Sequence, residues 1–478
     1  MRRAYRVEEV RRAEAELMAR LPEGTLMQRA AAGLATVAAR ILRESGGVYG
    51  ARVLLLVGVG DNGGDALFAG AMLARRGVRV DAVLMDPARV HEAGLAALIG
   101  AGGRSGDVSA VSAFEGTDLI VDGLLGIGGK GGLRGAAAEL AEAAAASGAP
   151  ILAVDLPSGI DVDTGQVAGP TIRAHVTVTF GTYKPGLLID PAAELAGVVE
   201  FVDIGLSALP PEPVVEALQA ADVAALLPRA AHETDKYGRG VVGIECGSKR
   251  YPGAARLAVG GALRSGVGAV RYSGPVDVGE TFPEVLLGRG RVQAWVVGCG
   301  LDRDDTARNR LEQILALADV PVLVDADALA LLAELGTDAL ADRTAPTVLT
   351  PHAGEAARLL GVERDEVEAQ RLDSVRRLAD TFGATVLLKG TTTLVAEPGG
   401  STVRANPTGT PALATAGSGD VLAGLVGGLL AAGLRPVDAA SVGAYLHGTA
   451  GRLAQRGGPV AAGDLLAAVQ LAWHNVQQ

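Results

Sequence analysis

Short apolar runs recur along the chain, each closed by a glycine- or aspartate-bearing turn and followed by a helically spaced segment. Arg52–Val59 (RVLLLVGV) is apolar throughout, the pattern of a strand covered on both faces. Arg79–Met85, Asp118–Val121, Ile151–Val154, Ala174–Phe180 and Val198–Val202 read as further strands. Helices are predicted at Tyr5–Arg20, Leu26–Ser45, Ala66–Gly77 and Ala136–Ser147. This alternation implies a parallel, doubly wound sheet. Leu206–Pro213 (LSALPPEP) is proline-rich and reads as a linker. Beyond it the pattern restarts, with strands at Gly240–Glu245, Trp295–Val297, Val320–Val324, Thr347–Leu349 and Thr385–Leu388, a helix from Ala254, and an apolar helix at Val421–Leu430. The expected organisation is two α/β domains, residues 1–212 and 213–478. Their motifs do not match, so there is no sign of duplication.

Polar residues gather where the predicted strands end. In a parallel sheet those ends share one edge, so Asn62, Asp122, Asp155 and Ser158 can converge there. Their oxygens suit a hard, weakly held cation; the alternative is that the aspartates cap following helices. Gly58, Gly60 and Gly63 satisfy the dinucleotide fingerprint on paper, but Asp61 and Asp65 bracket the helix start where a pyrophosphate would sit. Two carboxylates there outweigh the ~0.3–1 kcal/mol that a helix dipole returns. Lys130 follows a glycine-rich run without Walker spacing. In the second half, TAGSGDVLAG (415–424) runs from a glycine turn into an apolar helix, whose free N–H groups and dipole make an anion site. Asp420 is out of place there unless it takes a proton from a hydroxyl near a phosphate; helix capping by Ser418 and Asp420 is the plainer option. His352 is open to two readings, a ligand contact or general base on one side and a loop residue bonded to backbone on the other. Lys389, at a strand end, is a candidate phosphate partner or a surface lysine.

Composition narrows the classes. A 49% hydrophobic content over 478 residues supports large cores, and with only 3% aromatics these must be close-packed Ala, Val and Leu. A net charge of -11 argues against nucleic acid or anionic membrane as partner. Small anions must then be held by local N–H clusters and a few basic side chains. Cys246 and Cys299 have no zinc spacing. The longest apolar runs, such as Val421–Leu434, are glycine-broken and too short for a bilayer. The N-terminal stretch is a charged amphipathic helix rather than a signal peptide, and the protein is expected to be cytosolic.

VGVGDNGGD (57–65), VDGLLGIG (121–128), VDLPSGIDVDTG (154–165) and TFGTYKPGLL (179–188) resemble the NAD(P)H-hydrate epimerase domain across nearly all of residues 1–205. The resemblance implies a Rossmann-like α/β/α layer that epimerises the hydrated nicotinamide ring. It implies substrate contacts at Asp61, Asn62, Gly63, Gly64 and Asp65, and at Gly126, Ile127, Gly128, Gly129, Lys130, Gly131 and Gly132. Potassium is then expected on Asn62, Asp122 and Ser158, with Asp155 touching substrate and moving a proton. This chain has Asp61 where the family usually has Asn, and Ala66 where it has Gly.

GSKRYPGAA (247–255), VVGCGL (296–301), VDADAL (324–329), LTPHAGEAARLLG (349–361), LLKGTTT (387–393) and NPTGTPALATAGSGDVLAGL (406–425) resemble the ribokinase-like superfamily and, within it, the NAD(P)H-hydrate dehydratases. The likeness covers nearly all of 236–478. It implies that Lys389, Gly390, Thr391, Thr392, Thr393 and Gly419 bind ADP or ATP. Ala254, Gly300, His352 and Asp420 would bind the hydrated nucleotide, with Asp420 as catalytic base and Mg2+ as cofactor. Departures are Asp302, Ala330 and Ala353. The alternative is a small-molecule kinase fused to a non-catalytic metabolite-binding domain. The oligomeric state, a homo-oligomer included, is left open.

Overall fold

The apolar runs fold as strands because each is covered on both faces. The computed structural model describes residues 1–107, 114–128, 131–229 and 235–478. The chain opens with a short strand, β1 (Arg2–Ala4), and divides into two units, Arg3–Val214 and Met1–Arg2 with Val215–Gln478.

In the first unit, β2 (Arg52–Val57), β3 (Arg79–Leu84), β4 (Arg104–Asp107), β5 (Leu119–Gly123), β6 (Ile151–Val154), β7 (Val176–Phe180) and β8 (Val198–Val202) form a wholly parallel sheet in the order β4-β3-β2-β5-β6-β7-β8. The order reverses between β2 and β5, which opens a crevice beyond their C-terminal ends. Val57 pairs with both Leu84 and Gly123, so the strand ends are level there. Two expected boundaries move. The helix after β2 is Asp61–Ala74, not one beginning at Ala66, so Asp61–Asp65 form its first turn rather than a loop. Gly63 explains the tight entry, since a Cβ there would lie 2.3 Å from the Gly58 carbonyl oxygen. Asp122 lies within β5, not beyond it. Strand β4, exposed along its length, carries no apolar pattern and was not legible.

In the second unit, β9 (Val215–Ala217), β10 (Val241–Glu245), β11 (Ala269–Tyr272), β12 (Leu286–Leu287), β13 (Ala294–Val297), β14 (Val322–Val324), β15 (Thr347–Leu349), β16 (Thr385–Leu388), β17 (Thr393–Ala396) and β18 (Val403–Asn406) run in the order β9-β18-β17-β16-β15-β14-β13-β10-β11-β12. Only the pairings of β17 with β16 and β18 are antiparallel. The reversal here lies between β10 and β13, and Glu245, Val297, Val324 and Leu349 stand level across the sheet. Cys246 and Cys299 sit just past strand ends rather than in the strands, both unpaired and buried.

The helix Ser418–Ala431 is buried from Val421 onward. It crosses the helix Pro252–Leu263 at a distance only glycine allows. A Cβ on Gly424 would meet the Ala258 carbonyl oxygen at 1.9 Å, and one on Gly261 the Val421 carbonyl oxygen at 2.2 Å. On its other side a Cβ on Gly427 would strike Val296 at 2.0 Å. Gly424→Ala is therefore expected to destabilise the second unit by about 1–3 kcal/mol through overpacking, read as a lowered denaturation midpoint. An unchanged midpoint would mean the helices are not so closely seated.

Candidate active sites

In the first unit the crevice between β2 and β5 holds two adjoining clusters. Asp122 is fully buried. One carboxylate oxygen accepts from Ser158 Oγ (2.7 Å) and Leu124 N (3.3 Å), the other from Ser158 N (2.8 Å). Burial pushes its pKa up to about 6, against the pull of the Ser158 hydrogen bonds. No ion pair reaches it among the described residues. The Asn62 amide lies 2.5 Å from the Val154 carbonyl oxygen and 3.4 Å from that of Leu125. A Cβ on Gly126 would sit 2.3 Å from Asn62 Oδ1, which explains that glycine. A buried carboxylate without a cation, a hydroxyl, an amide and carbonyl oxygens make an all-oxygen donor set. That set fits a potassium ion and offers nothing to a softer metal. The expected convergence of Asn62, Asp122 and Ser158 is found.

Asp155 stands on strained backbone, at φ 65°. Its Oδ1 accepts from Thr179 Oγ1 (3.0 Å), Phe180 N (3.1 Å) and Lys184 Nζ. It does not cap a helix. Lys184 is 1% exposed and spends its other protons on Thr179 Oγ1 and the Phe180 carbonyl. Its role was missed in the sequence, although it lies in the TFGTYKPGLL segment; a single Lys after Tyr carries no pattern. Asp65 is buried beside this pair, with Oδ1 unpartnered among the described residues. Burial, then the charges of Asp155, Asp61 and Glu14, hold its carboxyl well above the usual range. Glu14 is raised too, by burial against the pull of Lys184. Ile127 packs partly buried, and Gly128 lies near Arg11. Gly131 has a positive φ, and Gly132 packs against Gly169. Gly129 and Lys130 lie outside the described residues.

In the second unit the polar side chains following β10, β13, β14, β15 and β16 form one chain. Lys389 Nζ lies 2.8 Å from Asp325 Oδ1 and 3.6 Å from Glu355 Oε2. Cys299 Sγ lies 3.7 Å from Asp325 Oδ2, and donor atoms of Cys299, Asp325 and Asp420 fall within 4.8 Å of one another. Asp420 stands in the first turn of the helix Ser418–Ala431. Burial, then the Asp325 charge, push its pKa up to about 7, with Lys389 pulling the other way. Burial works against the charge on Lys389, but the Asp325 and Glu355 carboxylates outweigh it and hold its pKa above the ordinary lysine value. A hydrogen bond with the Cys246 thiol, then burial, raise the Cys299 pKa well above normal, so it stays a thiol.

Neither Ser418 nor Asp420 caps the helix. Gly417 is the N-cap, at φ 89°, and Ser418 Oγ donates instead to the Leu413 carbonyl (2.7 Å). Buried His447 reaches the Ser418 carbonyl (2.9 Å), and burial lowers its pKa to about 4, so it is neutral. The Gly419 amide finds no acceptor among the described residues. A Cβ on Gly419 would lie 3.6 Å from Lys389 Nζ, so the lysine faces this turn rather than solvent. Lys389–Thr393 turns from β16 into β17, held by Arg371, whose Nη2 donates to the carbonyls of Leu388, Lys389 and Thr392. Ala254 and Gly300 lie against each other. His352 is exposed and its Nδ1 accepts from Gly354 N (3.0 Å) and Glu355 N (3.2 Å), the backbone-bonded alternative. Its Nε2 is left 3.5 Å from Glu355 Oε1. For Mg2+, Asp325 supplies a hard oxygen beside the helix N-terminus, a fit for an ion held by one carboxylate plus phosphate oxygens. The protonated Cys299 thiol is no part of that set.

The family profile described as NAD(P)H-hydrate dehydratase matches residues 242–470, and that of the YjeF-related protein N-terminus matches 23–186. The bifunctional NAD(P)H-hydrate repair enzyme Nnr of Mycobacterium leprae is 51% identical over 461 residues, covering 95% of this chain and 94% of that protein. The corresponding Mycobacterium tuberculosis enzyme is 50% identical, covering 92% of each. The crystal structure of the ADP/ATP-dependent NAD(P)H-hydrate dehydratase from Bacillus subtilis, co-crystallised with ATP/Mg2+, is 30% identical with a TM-score of 0.50. It covers 54% of this chain and 97% of that one.

Lys184→Met would leave Asp155 as an unpaired buried charge. The expected cost is about 3–5 kcal/mol of first-unit stability, measured by urea denaturation at neutral pH. A change below about 1 kcal/mol would contradict the pairing.

Proposed function

The chain belongs to the bifunctional NAD(P)H-hydrate repair family, and from that premise we propose how its two sites divide the work. The enzyme repairs hydrated NADH and NADPH. The first unit epimerises the R and S hydrates, and the second removes water from the S hydrate in a nucleotide-dependent step. The observation that carries the second half is the Asp420 carboxylate, poised near neutrality beside an unblocked helix N-terminus and facing Lys389.

Asp420 takes the proton from the ring hydroxyl, and the oxygen so formed accepts the terminal phosphoryl group of ADP or ATP. The Gly419 amide and the helix start stabilise the transferring oxygens, with Lys389 adding its charge. Phosphate then leaves from the ring carbon while the neighbouring carbon gives up a proton to solvent, which restores the ring double bond; hydroxide would leave poorly. Magnesium would be held by Asp325 with the nucleotide phosphates and would neutralise phosphate charge, leaving Asp420 as the base. Lys389–Thr393 and Gly419 bind the nucleotide, while Ala254, Gly300, His352 and Asp420 bind the hydrate. A small-molecule kinase would instead keep its phosphorylated product.

In the first unit Asp155, fixed by Lys184, touches the substrate and carries the proton transfer of the epimerisation. Asp61–Asp65 and Gly126–Gly132 border the substrate. Asn62, Asp122 and Ser158 would hold potassium, which would supply positive charge beside the buried Asp122 carboxylate. Two unpaired buried thiols suit a cytosolic setting.

Asp420→Asn is expected to lower kcat for dehydration by about 10²–10⁴-fold, the usual worth of a general base, with the epimerisation rate intact. A raised carboxyl pKa leaves Asp420 protonated below its midpoint. The wild-type kcat/KM for dehydration should therefore climb with pH through about 7. A profile flat from pH 6 to 8 would refute the base assignment. Replacing potassium, or Asp122→Asn, should slow epimerisation alone; an unchanged rate would remove the cation from the site.

A further inference from the structure

At the opposite edge of the second unit's sheet, ahead of β10 and β11, lies a cavity of about 610 Å³ that the repair chemistry does not use. Its size lies within the range of small-molecule sites. Arg229, Arg239 and Arg264 line it, together with Trp473 and His474 of the helix Asp464–Gln477. No carboxylate lines it among the described residues, in a chain whose net charge is -11.

The plain explanation for such arginines is neutralisation of helix C-termini. The helices Pro252–Leu263, Ser418–Ala431 and Asp464–Gln477 all end at this cavity, through Arg264, Ala432 and Gln477. Each end carries on the order of half a negative charge. Three guanidinium groups exceed that demand by roughly one and a half charges. The hydrogen bonds tell the same story. Arg239 gives one N–H to the Gly266 carbonyl and Arg264 one to Gly260, both at 2.9 Å. Arg264 Nε is buried without an acceptor; the Glu284 carboxylate acts on Arg264 electrostatically but does not line the cavity. The half-buried Trp473 indole, against Gly266, adds an apolar flat wall.

We propose that this cavity is a second nucleotide site, taking a nucleoside phosphate with its phosphate on Arg229, Arg239 and Arg264 and its base against Trp473. Guanidinium groups match phosphate oxygens in pairs, and an indole stacks on any base.

The chain has two tryptophans, and the other, Trp295, is buried in β13. In a Trp295→Phe background the emission of the full chain reports on Trp473 alone. Titration with AMP should give a saturable change, weakened at least tenfold by Arg239→Glu and untouched by Lys389→Ala, which disables the catalytic nucleotide site. Inorganic pyrophosphate should compete with AMP. Arg229→Glu, at an exposed position, is the second variant if Arg239→Glu does not fold. No saturable change up to about millimolar AMP would overturn the proposal. So would a change abolished by Lys389→Ala but kept in both arginine variants, since the ligand would then be in the catalytic site.

Discussion

The second site depends on one packing constraint, the seating of the helix Ser418–Ala431 by glycine against backbone. Gly424 and Gly261 let two helices touch at their carbonyls, and Gly427 lets the same helix press on β13. The helix then has no freedom to slide along the sheet. Its first turn is held at the edge where Asp325 and Lys389 emerge, and the Asp420 carboxylate is carried there with it. Burying that carboxylate next to Asp325 is unfavourable in isolation. The cost is borne by a rigid scaffold and appears as a pKa near 7, which is what a base working at neutral pH requires.

The first unit solves a related problem differently. Asp155 is buried on a strained backbone, yet it is matched by Lys184 and two further donors. Asp122, close by, has only neutral donors. One carboxylate is satisfied within the protein, and the other keeps a charge that no described cationic side chain pairs with, the place proposed for potassium. Asp65 has no partner for one oxygen among the described residues, and burial raises its pKa well above the usual carboxylate range. Both units place this chemistry at the point where strand order reverses, since only there do neighbouring loops part to opposite sides of the sheet.

Much of this was legible in the sequence, for physical reasons. Parallel strands covered on both faces must be apolar throughout, so β2, β6 and β16 announced themselves. Strand ends carry the polar residues, so Asn62, Asp122, Ser158, Lys389 and Asp420 could be gathered before any coordinates. What escaped was set by partners distant in sequence. Lys184 and Arg371 are basic residues without a local pattern, and their meaning lies in Asp155 and in the carbonyls of Leu388–Thr392. The exposed β4 has no apolar signature at all. The start of the helix Asp61–Ala74 was misplaced because its first turn contains two glycines, which read as a loop unless the close approach to Gly58 is known. His352 was balanced between two readings, and only the Gly354 and Glu355 amides show that its Nδ1 is committed to the backbone.

The central claim is that Asp420 ionises a ring alcohol which then carries a phosphoryl group. Its most direct test is the fate of that oxygen. With an S hydrate labelled with 18O at the ring hydroxyl, single-turnover reaction with ADP should place the label in the released inorganic phosphate. Recovery of the label in water, with unlabelled phosphate, would contradict the account.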